Sequence, residues 1–113
     1  MPLLVEENPR QDDLEPRFSR VLRDDPDTLA LLGSIGDGPQ WRVFEGIFNG
    51  SPVALALLER DTDHWMLRRL VVHPATRGRG VGTELLRQLS RRVDELHLPD
   101  SLIGLARRAG IDG

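Results

Sequence analysis

The sequence predicts a mixed α/β (α+β) domain with a largely antiparallel sheet flanked by helices. Three observations carry this. Residues 41–73 read as three consecutive strands joined by short turns. Amphipathic helical patterns lie before and after that run. A glycine-rich segment joins the last of these strands to the clearest helical pattern. A run of strands with helices on either side implies a sheet with helices packed on its faces.

Leu3-Leu4-Val5-Glu6-Glu7 reads as a short first strand, ended by Asn8-Pro9. Asp12 to Arg23 reads as a helix with Leu14, Phe18, Val21 and Leu22 on one face. Pro16 fits only if it lies in the first turn. Asp24-Asp25-Pro26-Asp27 breaks the chain, Thr28 to Ile35 reads as a second helix, and Gly36 to Pro39 is a loop. Trp41 to Phe48 alternates as a strand buried partly on both faces. Asn49-Gly50 signals a tight hairpin turn. Val53 to Glu59 is the next strand, Asp61-Thr62-Asp63 a turn, and His64 to His73 a third strand, which completes a meander. After the glycine loop, Val81, Leu85, Leu86, Leu89 and Val93 keep helical register. Residues 95–98 read as a brief fifth strand. Pro99-Asp100-Ser101 opens a last helix with Leu102, Leu105, Ala106 and Ala109 on its apolar side and Gly110 at its end. No internal repeat or low-complexity tract is visible.

The 113 residues are expected to form one small domain, 1–113. The net charge of −3 argues against general nucleic-acid binding. All basic side chains are arginine, so no lysine can form a Schiff base. With no cysteine, disulfides, thiolate metal sites and a cysteine nucleophile are excluded, and no metal site is expected. The apolar runs fall short of a membrane span and no secretory signal is visible, so a cytoplasmic location without membrane attachment is expected.

The most informative stretch runs from Leu70 to Gly82: Leu-Val-Val-His-Pro-Ala-Thr-Arg-Gly-Arg-Gly-Val-Gly. An apolar strand stops at a proline, glycines recur at alternate positions, and a helix follows. Glycines let backbone N–H groups converge without Cβ interference. The helix start adds orphan N–H groups and a partial positive charge at the same point. Arg77 and Arg79 add full charges. This stretch resembles the acetyl-CoA loop of the GNAT N-acetyltransferase superfamily: Arg or Gln, two residues, Gly, one residue, then Gly or Ala. Arg77, Gly80 and Gly82 match in register. The order of elements follows the GNAT layout from its first strand to its fourth helix, but the final strand pair has no counterpart, so a C-terminally shortened version is expected. Residues 42–56 and the sequel through Leu86 also resemble the small PanZ/PanM-type proteins, which sense acetyl-CoA and act on aspartate decarboxylase.

The resemblance implies a cofactor site. Leu70, Val71 and Val72 would bind the pantetheine arm, the Val71 or Val72 N–H would polarise the thioester carbonyl, and the N–H groups of Gly78 to Thr83 (Arg79, Gly80, Val81 and Gly82 between them) would hold the diphosphate of acetyl-CoA. Arg77 would anchor the loop or a phosphate, and Arg79 would reach the ribose phosphate or stay in water. His73, beside the loop, would shape it or meet a phosphate.

The catalytic groups stay open. Residues 64–69 offer no carboxylate where many GNAT enzymes carry a glutamate. Glu45, Glu59 and His64 are the candidates. The plainer reading makes the glutamates exposed strand residues and His64 solvated. There is no tyrosine to protonate a departing thiolate; Ser101 is the nearest hydroxyl, better suited to helix capping. Arg87, Arg91 and Arg92 read as a solvated helix face, and Trp41 with Trp65 as a cross-strand core pair.

Two functions follow from the resemblance. One is acetyl transfer from acetyl-CoA to a primary amine of a small molecule or protein. The other is a non-catalytic acetyl-CoA sensor that binds a partner protein. A homodimer, in which a second subunit completes the short C-terminal side, is compatible with either.

Overall fold

Strand β1 (Leu4–Asn8) opens the architecture and is followed by α1 (Leu14–Phe18) and α2 (Pro26–Ile35). The meander is β2 (Trp41–Phe48), β3 (Ser51–Asp61) and β4 (His64–Val72). A 3-10 turn at Pro74–Thr76 leads to α3 (Val81–Arg92), β5 (Leu96–His97), a second 3-10 turn at Asp100–Leu102 and α4 (Ile103–Arg108). The computed structural model describes residues 3–9, 14–35 and 38–108. The expected helix start at Asp12, Gly36 and Asp37 of the second loop, Ala109 and the Gly110 cap lie outside these residues, as do the side chains of Leu105 and Ala106.

The five strands lie in chain order, β1-β2-β3-β4-β5. The first four pair antiparallel, and β5 runs parallel to β4. Asn49 and Gly50 take positive φ of 51° and 78°, which matches the twist of a two-residue hairpin. Strand alternation divides the core in two. Phe44, Ala54, Ala56, Leu58 and Leu67 face α3, which contributes Val81, Leu85, Leu86 and Leu89. Val43, Leu55, Leu57 and Val71 face the opposite way, onto Leu14, Phe18, Val21, Leu22, Leu32 and Ile35. The sheet is therefore covered on both faces, as the pattern of elements required.

Three local readings change. Regular helix α1 ends at Phe18 rather than Arg23. The Ser19 hydroxyl donates to the Pro16 carbonyl at 3.1 Å, and Arg23 N–H reaches only the Arg20 carbonyl at 3.4 Å. Such side-chain competition and three-residue bonds favour turns over an α-helix. Turns keep near-helical spacing, so Val21 and Leu22 are still buried. Helix α2 begins earlier than Thr28. The Asp25 carboxylate accepts the Thr28 N–H at 3.1 Å and its hydroxyl at 2.7 Å, with Pro26 in first helical position. The tryptophans do not pair. β3 separates their strands, and Trp65 packs on the α3 side while Trp41 packs on the other. Trp65 instead lies under Arg42 and Arg60, with guanidinium carbons 5.2 and 5.6 Å from its ring centre.

Candidate functional site

β4 is hydrogen-bonded to β5 only at its start, with Trp65 opposite Leu96 and Met66 opposite His97. Beyond that point the two strands part. A bulge sits at the parting. Leu57 faces Arg69 and Leu58 faces Leu67, so Arg68 is an extra residue in β4. After the bulge the strand is regular again. His73 N–H donates to the Val53 carbonyl at 2.7 Å. Strand neighbours alternate, so the Val71 backbone groups also turn to β3, while those of Leu70 and Val72 turn to the open edge. Arg77 Nε donates to the Val72 carbonyl at 3.3 Å, which fits that direction.

The end of β4 is locked by His73. Its Nδ1 accepts the Ala75 N–H at 3.0 Å, and its carbonyl accepts the Thr76 N–H at 2.9 Å and hydroxyl at 3.1 Å. The chain then swings through Gly78 and Gly80, with φ of 79° and 78°. Only glycine adopts this conformation without steric cost. A Cβ at either position would project into open space, with no atom within 4 Å. Gly80 is the N-cap of α3 and offers no side chain to cap it. The first intrahelical bond is Glu84 N–H to the Gly80 carbonyl at 3.0 Å. The N–H groups of Val81, Gly82 and Thr83 thus remain orphans at the positive end of the helix.

These features open onto one cleft of about 470 Å³, lined by the open edge at Leu70 and Val72, by Gly78, Gly80 and Gly82, and by Thr83. Arg77 and Val81 also line it, with Thr76 and Leu102, which the sequence reading does not place among the site residues. Leu102 follows the brief β5 and carried no sequence signal for this position. Val71 does not line it; its side chain is buried in the opposite core. Arg79 lines a neighbouring cleft. A strand edge whose Leu70 groups and Val72 N–H have no partner among the described residues, ending at a nest of orphan amides, fits an amide-bearing arm that ends in a diphosphate.

The candidate bases lie elsewhere. Glu45 is not an exposed strand residue: it is 3% exposed. Arg17 binds it through two nitrogens, with Nε 3.1 Å from Oε1, and Asn8 Nδ2 donates to Oε2 at 2.6 Å. Strand alternation, with Leu55 opposite, turns it toward α1, away from α3. Its carboxylate ties β1 and α1 to β2. Glu59 lies inside β3 and accepts from Arg68 Nε, at the bulge, at 2.9 Å. His64 is not freely solvated. Its ring stacks on His97 with centroids 3.9 Å apart, and Asp61 and Asp63 lie 3.8 and 3.6 Å away. Ser101 makes no capping hydrogen bond among the described residues. Pro99 holds the cap position, and Ser101 is exposed within the 3-10 turn. Arg91 and Arg92 are exposed, as read, but Arg87 is half-buried beside Glu84.

Residues 6–109 match the family model described as the acetyltransferase (GNAT) family. No curated protein matches the chain. Among solved structures, the ribosomal-protein-S18-alanine N-acetyltransferase from Escherichia coli gives a TM-score of 0.72 at 19% identity, over 95% of this chain and 77% of that one. An IAA acetyltransferase from Bacillus cereus ATCC 14579 gives 0.70 at 16% identity, over 95% and 75%. An aminoglycoside 6'-N-acetyltransferase complexed with coenzyme A gives 0.67 at 20% identity, over 84% of this chain and 60% of that one. At these identities the likeness is one of fold.

Proposed function

Because the chain belongs to the GNAT acetyltransferase family, we propose that it binds acetyl-CoA in the cleft beside β4 and transfers the acetyl group to a primary amine. The observation that carries this is the uncapped start of α3 facing the same cleft as the open edge of β4. Acetyl-CoA supplies a thioester whose acyl carbon an amine can attack and whose thiolate then leaves. The amides of Val81, Gly82 and Thr83, with those of Gly78 to Gly80, hold the diphosphate. The Leu70 and Val72 edges hold the pantetheine amides as a further strand would. Alternation favours Val72 over Val71 as the N–H donor that steadies the charge developing on the acyl oxygen. Arg77 keeps the loop against the end of β4. The proton leaving the amine passes through water to Glu59, the candidate carboxylate beside the bulge. Glu45 is removed from that role by its three hydrogen bonds to Arg17 and one to Asn8.

One observation favours a second reading. None of Glu45, Glu59 and His64 lines the cleft. A chain that captures acetyl-CoA without turning it over would act as a sensor for a partner protein. Calorimetric titration of acetyl-CoA, followed by thiol release with a panel of primary amines, decides between the two. Binding with release supports transfer, binding without release leaves the sensor, and no binding removes both.

A further inference from the structure

The bulge in β4 sets two arginines side by side. Leu67 points into the core under α3, and Arg69 stands opposite Leu57, whose side chain belongs to the other core. Residues 67 and 69 of a regular strand would share a face. The extra residue, Arg68, breaks that rule and turns its own Nε onto Glu59, which lies two positions past Leu57 on the same face of β3. Arg68, Arg69 and Glu59 thus gather on the α1–α2 face, beside the stretch of β4 that has parted from β5. Arg68 and Glu59 offset each other at 2.9 Å. Arg69 is left over. It is exposed, its Nη1 donates to the Arg68 carbonyl at 3.0 Å, and no carboxylate pairs with it among the described residues. That bond holds the guanidinium on the strand and leaves its other N–H groups for a ligand.

The face matters for the acceptor. The coenzyme cleft lies on the α3 side, where Leu70, Val72, Val81 and Leu102 line it. A carbonyl group paired to an open strand edge lies roughly in the plane of the sheet, so its two sides look toward the two sheet faces. An amine attacks a carbonyl carbon from above or below its plane. With the α3 side taken by the cleft walls, the acceptor comes from the α1–α2 side, where Arg69 is the neighbour of Leu70 in the strand. We infer that Arg69 selects the acceptor: a small primary amine that carries a carboxylate, as a free amino acid does. The planar fork matches a carboxylate through paired N–H donors. One unpaired guanidinium balances the single charge of a carboxylate, whereas a phosphate monoester at roughly −1.5 to −2 would exceed it. The inference rests on the transfer reading above and names the substrate class for that site.

The test uses the full chain, with a panel of amino acids and their carboxamides as probes. Each is titrated calorimetrically into protein saturated with free coenzyme A, which has no acetyl group to transfer. The best-bound amino acid is expected to bind about tenfold more tightly than its carboxamide, the scale of a charge-assisted contact. Arg69→Leu brings that ratio close to one, and Arg69→Lys, which keeps the charge without the fork, retains part of it. Comparing the ratio between variants cancels the lower basicity of the carboxamide's amine. With acetyl-CoA in place of coenzyme A, thiol release shows the same loss in Arg69→Leu as a rise in KM for the amino acid larger than any fall in kcat. Equal wild-type affinities overturn the inference, and so does a preference that survives in Arg69→Leu. Thiol release only with amines that lack a carboxylate overturns it too, while leaving acetyl transfer standing. Failure of coenzyme A itself to bind removes the coenzyme reading, a result distinct from loss of the carboxylate preference.

Discussion

Two helices of this chain begin in opposite ways. At α2, Asp25 turns its carboxylate back onto the Thr28 N–H and hydroxyl, with Pro26 contributing no N–H to satisfy. At α3, Gly80 leaves the first turn without a side-chain cap. Thr28 is fully buried. The α3 start lines a cleft. The first start satisfies itself and strengthens the fold; the second leaves donors for a ligand. The two strand glutamates show the same contrast. Glu45 has its oxygens engaged by Arg17 and Asn8, whereas Glu59 accepts one bond from Arg68 and stays 32% exposed.

The sharpest way to break this comparison is Gly80→Asp. It places a carboxylate where the anion would sit, and a side chain at a φ of 78°. Acetyl-CoA affinity is expected to fall more than about hundredfold, since charge repulsion adds to loss of the amide nest. Unchanged affinity by calorimetry would refute the loop assignment. Ligand should also raise the wild-type Tm and leave that of Gly80→Asp unmoved.

Glu45→Ala is next in size. It leaves Asn8 and Arg17 without their shared acceptor, and should lower stability by about 2 kcal/mol in denaturant unfolding. The estimate is held down because Arg17 is 41% exposed and can regain water. Coenzyme affinity should stay within about twofold, because Glu45 serves the other face of the sheet. A large affinity loss with stability intact would show that the two regions are not independent. Asp25→Ala removes a cap and should cost about 1 kcal/mol, with no change in affinity.

The smallest structural effect is expected for Glu59→Gln. An exposed ion pair contributes roughly 0–1 kcal/mol, so unfolding should barely move. Thiol release should slow by about a hundredfold if Glu59 accepts the amine proton through water. A rate equal to wild type would remove Glu59 from the mechanism.

Much of this molecule was legible because local chemistry dictates it. Asn49-Gly50 specified a hairpin, Pro74 ended a strand, and the glycines after Arg77 specified a loop with positive φ. The core residues of α3 followed from spacing alone. The candidate site was legible in its glycine loop, the part proposed to hold phosphate, for the same reason: it consists of backbone, and glycine spacing reveals backbone. Glu45 was misread because alternation says which face a residue takes, not what waits there. Arg17 lies 28 positions away in sequence. Leu102 was missed at the cleft for a similar reason. Its position depends on how the chain after β5 packs against β4.

The sequence by itself determined the order of the elements, the meander, both faces of the sheet and the glycine nest, because turn chemistry and periodicity act over a few residues. Tertiary structure alone decided that β5 leaves β4 after Met66, that Val71 turns inward while Val72 faces the gap, and that Glu45 is neutralised by a distant arginine. Those outcomes depend on which surfaces meet once the chain has closed, and no short window of residues encodes that.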